Sequence, residues 1–283
     1  MITVDRLSYT YPGGEHPVLK ELNFEIEQGE IFGFLGPSGA GKSTTQKIIY
    51  KILNGYEGEI AVKGKKLKEW GKEYFEQIGV GFELPNHYLK LTAKENLELF
   101  ASFYPKHQLL DFNTLFEIVG LEESVNQKVQ EYSKGMKMRL NFIRAIMHNP
   151  DILFLDEPTA GLDPMNAIKI RNHIKLLKEQ GKTIFITTHN MNTADELCDR
   201  VSFIVEGELQ VTDKPAFLKH EYGKNTVLVE RKDGKSKEFP LEELGKNNGF
   251  YTFINQHEIL RINTQEATLE EVFMQITGKA LMV

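Results

Sequence analysis

YSKGMKMRLNFIRAIMHNPDILFLDEPTAGLD, residues 132–163, is the stretch on which the fold turns. Ser133 and Gly135 make a small-residue turn that opens a helix. The apolar run Ile152–Leu155 has strand length and ends in two adjacent acids, Asp156 and Glu157. A tight turn follows and delivers a third acid, Asp163. Helix, buried strand, turn and helix in succession is the rhythm of a parallel α/β sheet, whose ligands sit beyond the carboxyl ends of the strands. Asp156 ends such a strand, so its carboxylate belongs at that edge.

The same alternation continues outward. Downstream, Pro164–Gln180 reads as a helix ended by Gly181, Thr183–Thr187 as a strand and Met191–Cys198 as a helix. Upstream, residues 1–35 alternate apolar and polar positions, which predicts antiparallel strands leading into a buried strand at Ile31–Leu35. Gly36–Gly41 is a glycine-rich loop, Thr44–Leu53 a helix, Tyr56–Leu67 a strand pair around a glycine turn, and Ile78–Phe82 a short strand. Between Leu91 and Leu121 apolar residues recur at spacings of three and four, a helical period. From about Lys214 the pattern changes. VLVERKDGKSKEFPL reads as a hairpin around Asp233 and Gly234, and LEEVFMQITG as a terminal helix. We therefore expect a main domain over 1–215 and a small α+β accessory module over 216–283.

Composition narrows the function. Lys and Arg number 34 against 40 Asp and Glu, a net charge of −6. That balance argues against bulk binding of nucleic acid, so no nucleic-acid partner is expected. The lone Cys198 excludes an internal disulfide and a multi-cysteine metal site, and reads as a small core or helix residue. No apolar run approaches the roughly 18 residues of a membrane span, and the start of the chain lacks the pattern of a signal peptide. The expectation is a cytoplasmic protein that would need a partner to hold it at a membrane.

GPSGAGKST, residues 36–44, fits the phosphate-loop pattern and lies between a strand and a helix, the context that pattern requires. The backbone of Gly36, Pro37, Ser38, Gly39, Ala40 and Gly41 would curl around the β-phosphate at a helix N-terminus. Lys42 would neutralise the β- and γ-phosphates, Ser43 would ligate Mg²⁺ and Thr44 would reach the α-phosphate. Asp156 would hold Mg²⁺ through water, as in other phosphate-loop enzymes. Glu157, restricted by Pro158, can orient or deprotonate the attacking water. Alone, such an acid pair would be a solvated turn. Its place after an apolar strand and a phosphate loop favours chemistry. His189 ends TIFITTH and belongs at the same edge, either as a capping residue or as a hydrogen-bond donor to a γ-phosphate.

With these motifs in this order, residues 1–215 resemble the nucleotide-binding subunit of an ATP-binding cassette (ABC) transporter. The resemblance implies a phosphate-loop NTPase fold with a RecA-like core, an antiparallel β-subdomain and a helical subdomain at about 85–140. It places Tyr11, ahead of its neighbour Tyr9, as the aromatic that stacks on adenine. It makes Ser133, Lys134 and Gly135 the signature and AGLD with Asp163 the D-loop. The usual signature is Leu-Ser-Gly-Gly-Gln, and here Lys134 and Met136 depart from it. That variant, TAGLDP and the terminal ATLEEVFMQITG resemble the export-type drug and lipid branch. Aligning IGVGFELPNHYLKLTAKENL with the family's Q-loop puts Glu83 where glutamine is usual. A carboxylate there is expected to ligate the metal or the attacking water; its alternative is a surface ion pair. Phe82, Leu84, Tyr88 and Leu89 either pack the helical subdomain or form a groove for a short helix of a membrane partner.

The resemblance further implies an ATPase that pairs head to tail with a second copy of itself. Each ATP would lie between residues 36–44 of one copy and Ser133–Gly135 of the other. ATP would close the dimer, and hydrolysis through Glu157 and His189 would open it, powering export through a separate permease at the inner face of the cell membrane. Three rivals are weaker. Soluble repair or chromosome ATPases split the phosphate loop from the signature by long coiled coils, whereas only about 90 residues separate Lys42 from Ser133 here. Translation factors of this kind carry two cassettes, and one phosphate loop occurs here. A non-catalytic cassette would not keep Lys42, Asp156, Glu157 and His189 together.

Overall fold

Alternating apolar residues at the start of the chain make two antiparallel strands, β1 (Ile2–Tyr9) and β2 (Leu19–Ile26), with Ile2 opposite Ile26. β3 (Ile31–Leu35) follows and is buried along its whole length. The structure is a computed structural model that describes residues 1–223 and 225–278. Helix α1 runs Lys42–Ile49, two residues earlier and shorter than the apolar pattern suggests. Gly41, at φ +109°, starts it, and the chain leaves it at Tyr50, where the Ile52 and Leu53 amides fold back to Lys47 O. Strands β4 (Glu57–Val62) and β5 (Lys65–Lys66) complete a four-stranded sheet in the order β2-β1-β4-β5.

A short helix α2 (Tyr74–Gln77) leads into β6 (Ile78–Gly81). Three helices follow: α3 (Ala93–Ala101), α4 (Phe112–Val119) and α5 (Lys134–Ile146). Each begins on a side-chain cap, from Thr92, Asp111 and Ser133, which satisfies an otherwise orphaned amide. Then come β7 (Ile152–Asp156), α6 (Pro164–Glu179), β8 (Thr183–Thr188), α7 (Met191–Leu197), β9 (Arg200–Val205) and β10 (Glu208–Asp213). The large sheet has the order β10-β9-β3-β8-β7-β6 and is parallel from β9 to β6. This is the α/β class expected. The two sheets of this region meet through Phe24, Phe34 and Phe185, with ring centroids 4.9 Å apart for Phe24–Phe34 and for Phe34–Phe185. Burying one such ring contributes about 1.5–3 kcal/mol. Cys198 is free and buried against Gly33.

The chain divides into two compact units, Met1–Thr212 and a second from Asp213 onward. The second contains α8 (Pro215–Tyr222), β11 (Thr226–Arg231), β12 (Ser236–Pro240), α9 (Asn248–Gln256), β13 (Ile259–Gln265) and α10 (Leu269–Thr277). Its sheet has the order β12-β11-β13, and Val227, Val229 and Phe239 form its core with Phe250 and Phe253 of α9. The hairpin turn lies at Asp233 and Gly234, with Arg231 N donating to Lys235 O. Among the described residues no helix is long and apolar enough to cross a membrane.

Candidate active site

Four neighbouring strands, β3, β8, β7 and β6, point their carboxyl ends at one cleft of about 440 Å³. The loop after β3 supplies Ser38, Gly39, Gly41, Lys42, Ser43 and Thr44 to it. Two glycines make that loop possible. A Cβ on Gly36 would lie 2.1 Å from Ile204 O, so only glycine lets the loop rest on β9. Gly41 combines its positive φ with a Cβ position 2.5 Å from Leu19 Cδ2. Gly36, Pro37 and Ala40, expected at the phosphates, do not line the cleft. The first two give their carbonyls to Lys42 Nζ, at 2.7 and 2.9 Å, and Ala40 O accepts from Gly207 N. Burial lowers the pKa of Lys42, and Glu157, Asp156 and Glu83 oppose that by stabilising its charge.

Asp156 ends β7, is buried, and accepts a hydrogen bond from the Thr187 hydroxyl. Glu157 follows at φ +49°, in the left-handed region. Pro158 excludes the ordinary helical geometry there, and the Glu157 amide donates to Thr187 O at 2.9 Å. Its carboxylate accepts from three donors: Thr188 Oγ1 at 2.8 Å, His189 N at 2.7 Å and His189 Nδ1 at 2.6 Å. His189 lines the same cleft, as does Glu83, two residues beyond β6. Glu83 is exposed and makes no ion pair among the described residues. Tyr11 also lines the cleft, and its hydroxyl lies 3.0 Å from Thr44 Oγ1. Tyr9 is only 4% exposed against 38% for Tyr11, and the two rings meet edge to face at 5.1 Å. Between the two tyrosines, Tyr11 is therefore the one that faces the cleft.

Ser133, Lys134, Gly135 and Asp163 do not line this cleft. They gather at the starts of α5 and α6. Ser133 caps α5 by accepting from Met136 N at 3.2 Å. Lys134 lies along the Gly161 turn, and a Cβ on Gly135 would be 3.5 Å from Gly161 O. Asp163 caps α6, accepting from Asn166 N at 3.0 Å and Asn166 Nδ2 at 2.6 Å, which holds its carboxyl below the usual range.

A separate apolar groove of about 510 Å³ includes Ile52, Phe75, Phe82, Leu84, Phe100 and Tyr104. Tyr88 and Leu89 lie outside it. Arg144 also lines the groove, and nothing in the sequence reading had singled it out. It is buried, donates to Asn86 O at 2.7 Å and Asn141 Oδ1 at 2.8 Å, and lies 4.7 Å from the Phe100 ring centroid. Burial lowers its pKa to about 10. Asn141 Nδ2 in turn donates to Phe82 O at 2.8 Å, and His87 Nε2 lies 3.0 Å from Lys137 O. Helix α5 thus clamps the loop that carries Glu83. The available signal was two polar residues, three apart, on the buried face of α5.

The family described as ABC transporter matches residues 19–160. The chain is 47% identical to the fluoroquinolones export ATP-binding protein of Mycobacterium tuberculosis, over 99% of this chain and 94% of that protein. It is 34% identical to the bacitracin transport ATP-binding protein of Bacillus licheniformis, over 94% of each. Among solved structures, the dimeric post-hydrolysis state of an ATP-binding cassette bound to ADP and Pi superposes with a TM-score of 0.68. That match has 30% identity and covers 76% of this chain and 98% of the other.

Proposed function

The chain belongs to the ABC transporter family, and on that premise we propose that it is the ATP-hydrolysing subunit of a membrane exporter. One observation carries this reading. Lys42, Asp156, Glu157 and His189 face one cleft, while Ser133–Gly135 and Asp163 sit together outside it. A chain built this way holds ATP with one surface and offers the signature to another copy. Two copies related by a two-fold axis then make two equivalent sites.

In the cleft, Tyr11 stacks on adenine, residues 36–44 cradle the phosphates, and Lys42 exchanges its two carbonyl partners for phosphate oxygens. Hard oxygen donors from Ser43, Asp156 and Glu83 converge there and suit Mg²⁺, which keeps waters and phosphates among its ligands. When bound, Mg²⁺ supplies charge neutralisation to the β- and γ-phosphates. Glu157 orients and deprotonates the attacking water, and His189 holds Glu157 and reads the γ-phosphate. ATP bridges the copies in the closed dimer, and its hydrolysis releases them.

Residues 1–215 form the ATPase domain, with a helical subdomain at about 85–140, and 216–283 an accessory module. In that module, position 224 and residues 279–283 lie outside the described residues. The apolar groove takes a short helix from an integral-membrane permease, which holds this subunit at the inner face of the membrane. A soluble ATPase uncoupled from transport has no comparable support, since relatives along nearly the whole chain are export and transport subunits.

The test is Glu157→Gln. It should slow hydrolysis by about 10²–10⁴-fold and trap an ATP-dependent dimer on size-exclusion chromatography. A persistent monomer at saturating ATP, with and without membrane subunit, would count against the reading.

A further inference from the structure

We propose that Thr188 is a positioning residue for hydrolysis: its hydroxyl aims the Glu157 carboxylate so that Oε2 takes the proton of the attacking water. The inference rests on the reading of Glu157 as the base. It adds the working atom and the residue that sets it.

Strand β8 is apolar from Ile184 to Ile186 and ends in two threonines, all of them buried. A buried hydroxyl is costly unless it is hydrogen-bonded. The two threonines meet that demand on two consecutive acids, Thr187 on Asp156 and Thr188 on Glu157. Thr188 Oγ1 also accepts from Asn190 N at 3.0 Å, which closes a turn around His189. The hydroxyl has a single hydrogen, and a carboxylate only accepts, so that hydrogen goes to Glu157 Oε2 at 2.8 Å. Asn190 is fixed in turn, because its side chain caps α7 by accepting from Thr193 N at 2.9 Å. One hydroxyl therefore ties the start of α7 to the carboxylate.

The two oxygens of Glu157 are not equivalent. Oε1 takes both His189 donors, N at 2.7 Å and Nδ1 at 2.6 Å. Oε2 takes Thr188 alone. An ionised carboxylate has about four acceptor sites, two on each oxygen. Oε1 is thus filled, and the site left over is on Oε2. Glu157 lines the cleft with only 9% of its side chain exposed, so the direction of that one site decides whether water can use it. As the water oxygen bonds to the γ-phosphorus, its proton passes to Oε2. The bond from phosphorus to the β–γ bridging oxygen breaks, and that oxygen leaves on ADP. Without the Thr188 hydrogen, only the pair on Oε1 would hold the carboxylate.

ATP hydrolysis by the full-length chain, with the membrane subunit that co-purifies with it, tests the assignment. Thr188→Val keeps the β-branched shape and removes the hydroxyl. We expect kcat to fall about tenfold to a hundredfold, the effect of one hydrogen bond to a charged group, with ATP affinity within about twofold of the parent. Thr188→Ser keeps both bonds and should recover kcat to within about threefold. A residue that acts through Glu157 has nothing to act on once that carboxylate is gone. In a Glu157→Gln background, Thr188→Val should therefore slow the residual single-turnover rate by less than about twofold. An unchanged kcat in Thr188→Val, no recovery by serine, a matching loss of ATP affinity, or a full further loss in the Glu157→Gln background would each overturn the proposal. Hydrolysis at the parental rate by Glu157→Gln alone would remove the reading beneath it as well.

Discussion

Glu157 is held before any substrate arrives. Three donors fix its carboxylate, and one of them, His189 Nδ1, must carry its hydrogen to bond a carboxylate. The other ring nitrogen, Nε2, is then a donor to a phosphate oxygen only in the imidazolium form. Glu83 is the contrasting acid: exposed, facing the cleft and free of ion pairs among the described residues. Its charge acts on Lys42 together with Glu157 and Asp156. If Glu83 is a ligand of Mg²⁺ or of the attacking water, Glu83→Ala should raise the Mg²⁺ concentration for half-maximal ATPase activity by about tenfold, the worth of one charge-assisted contact. Glu83→Gln should fall between the two. An unchanged rate and unchanged Mg²⁺ dependence in Glu83→Ala would remove Glu83 from the site.

At the scale of elements, α5 joins the two halves of the proposed machine. Ser133 and Gly135 sit at its start, and Asn141, Arg144 and the Lys137 carbonyl grip the loop of Glu83 farther along. His87 in that loop gives the clamp a pH signature. Burial lowers its pKa from 6.5 to about 4. Between those values the unfolded chain binds a proton that the folded chain refuses, so stability is full above pH 6.5 and is lost as pH falls toward 4. That loss is about 3 kcal/mol for one such group. Burial lowers His148 and His173 in the same direction. Urea midpoints should therefore fall between pH 7 and pH 4.5, and His87→Gln should flatten that fall while lowering the midpoint at pH 7. A parallel decline in both proteins would show that His87 is not a source of it. The strands and helices around the cleft were legible because β3, β7 and β8 are continuous apolar runs with turn residues at their ends. The clamp was not, because Arg144 reads as an ordinary helix cation until the Asn86 carbonyl and the Phe100 ring are seen around it. Likewise β13 carries Leu260 and Ile262 at 62% and 49% exposure, so it lacks a buried face by which the pattern could declare it.

At the scale of the whole molecule, every residue assigned to ATP lies before Thr212, within the first compact unit. The second unit has a core of its own in Val227, Val229 and Phe239. A chain ending at Asp213 keeps all of β10 and the complete six-stranded sheet. It should fold, and bind ATP within about threefold of the full chain, a difference of less than 1 kcal/mol. The informative version carries Glu157→Gln as well. If the module over 216–283 is accessory to the switch, the shortened Glu157→Gln chain should still dimerise with ATP on size-exclusion chromatography, and only the concentration needed should change. If the shortened chain binds ATP normally yet stays monomeric, the module belongs to the closing interface itself. If it keeps its circular dichroism but loses ATP, the nucleotide site extends beyond the residues that face the cleft.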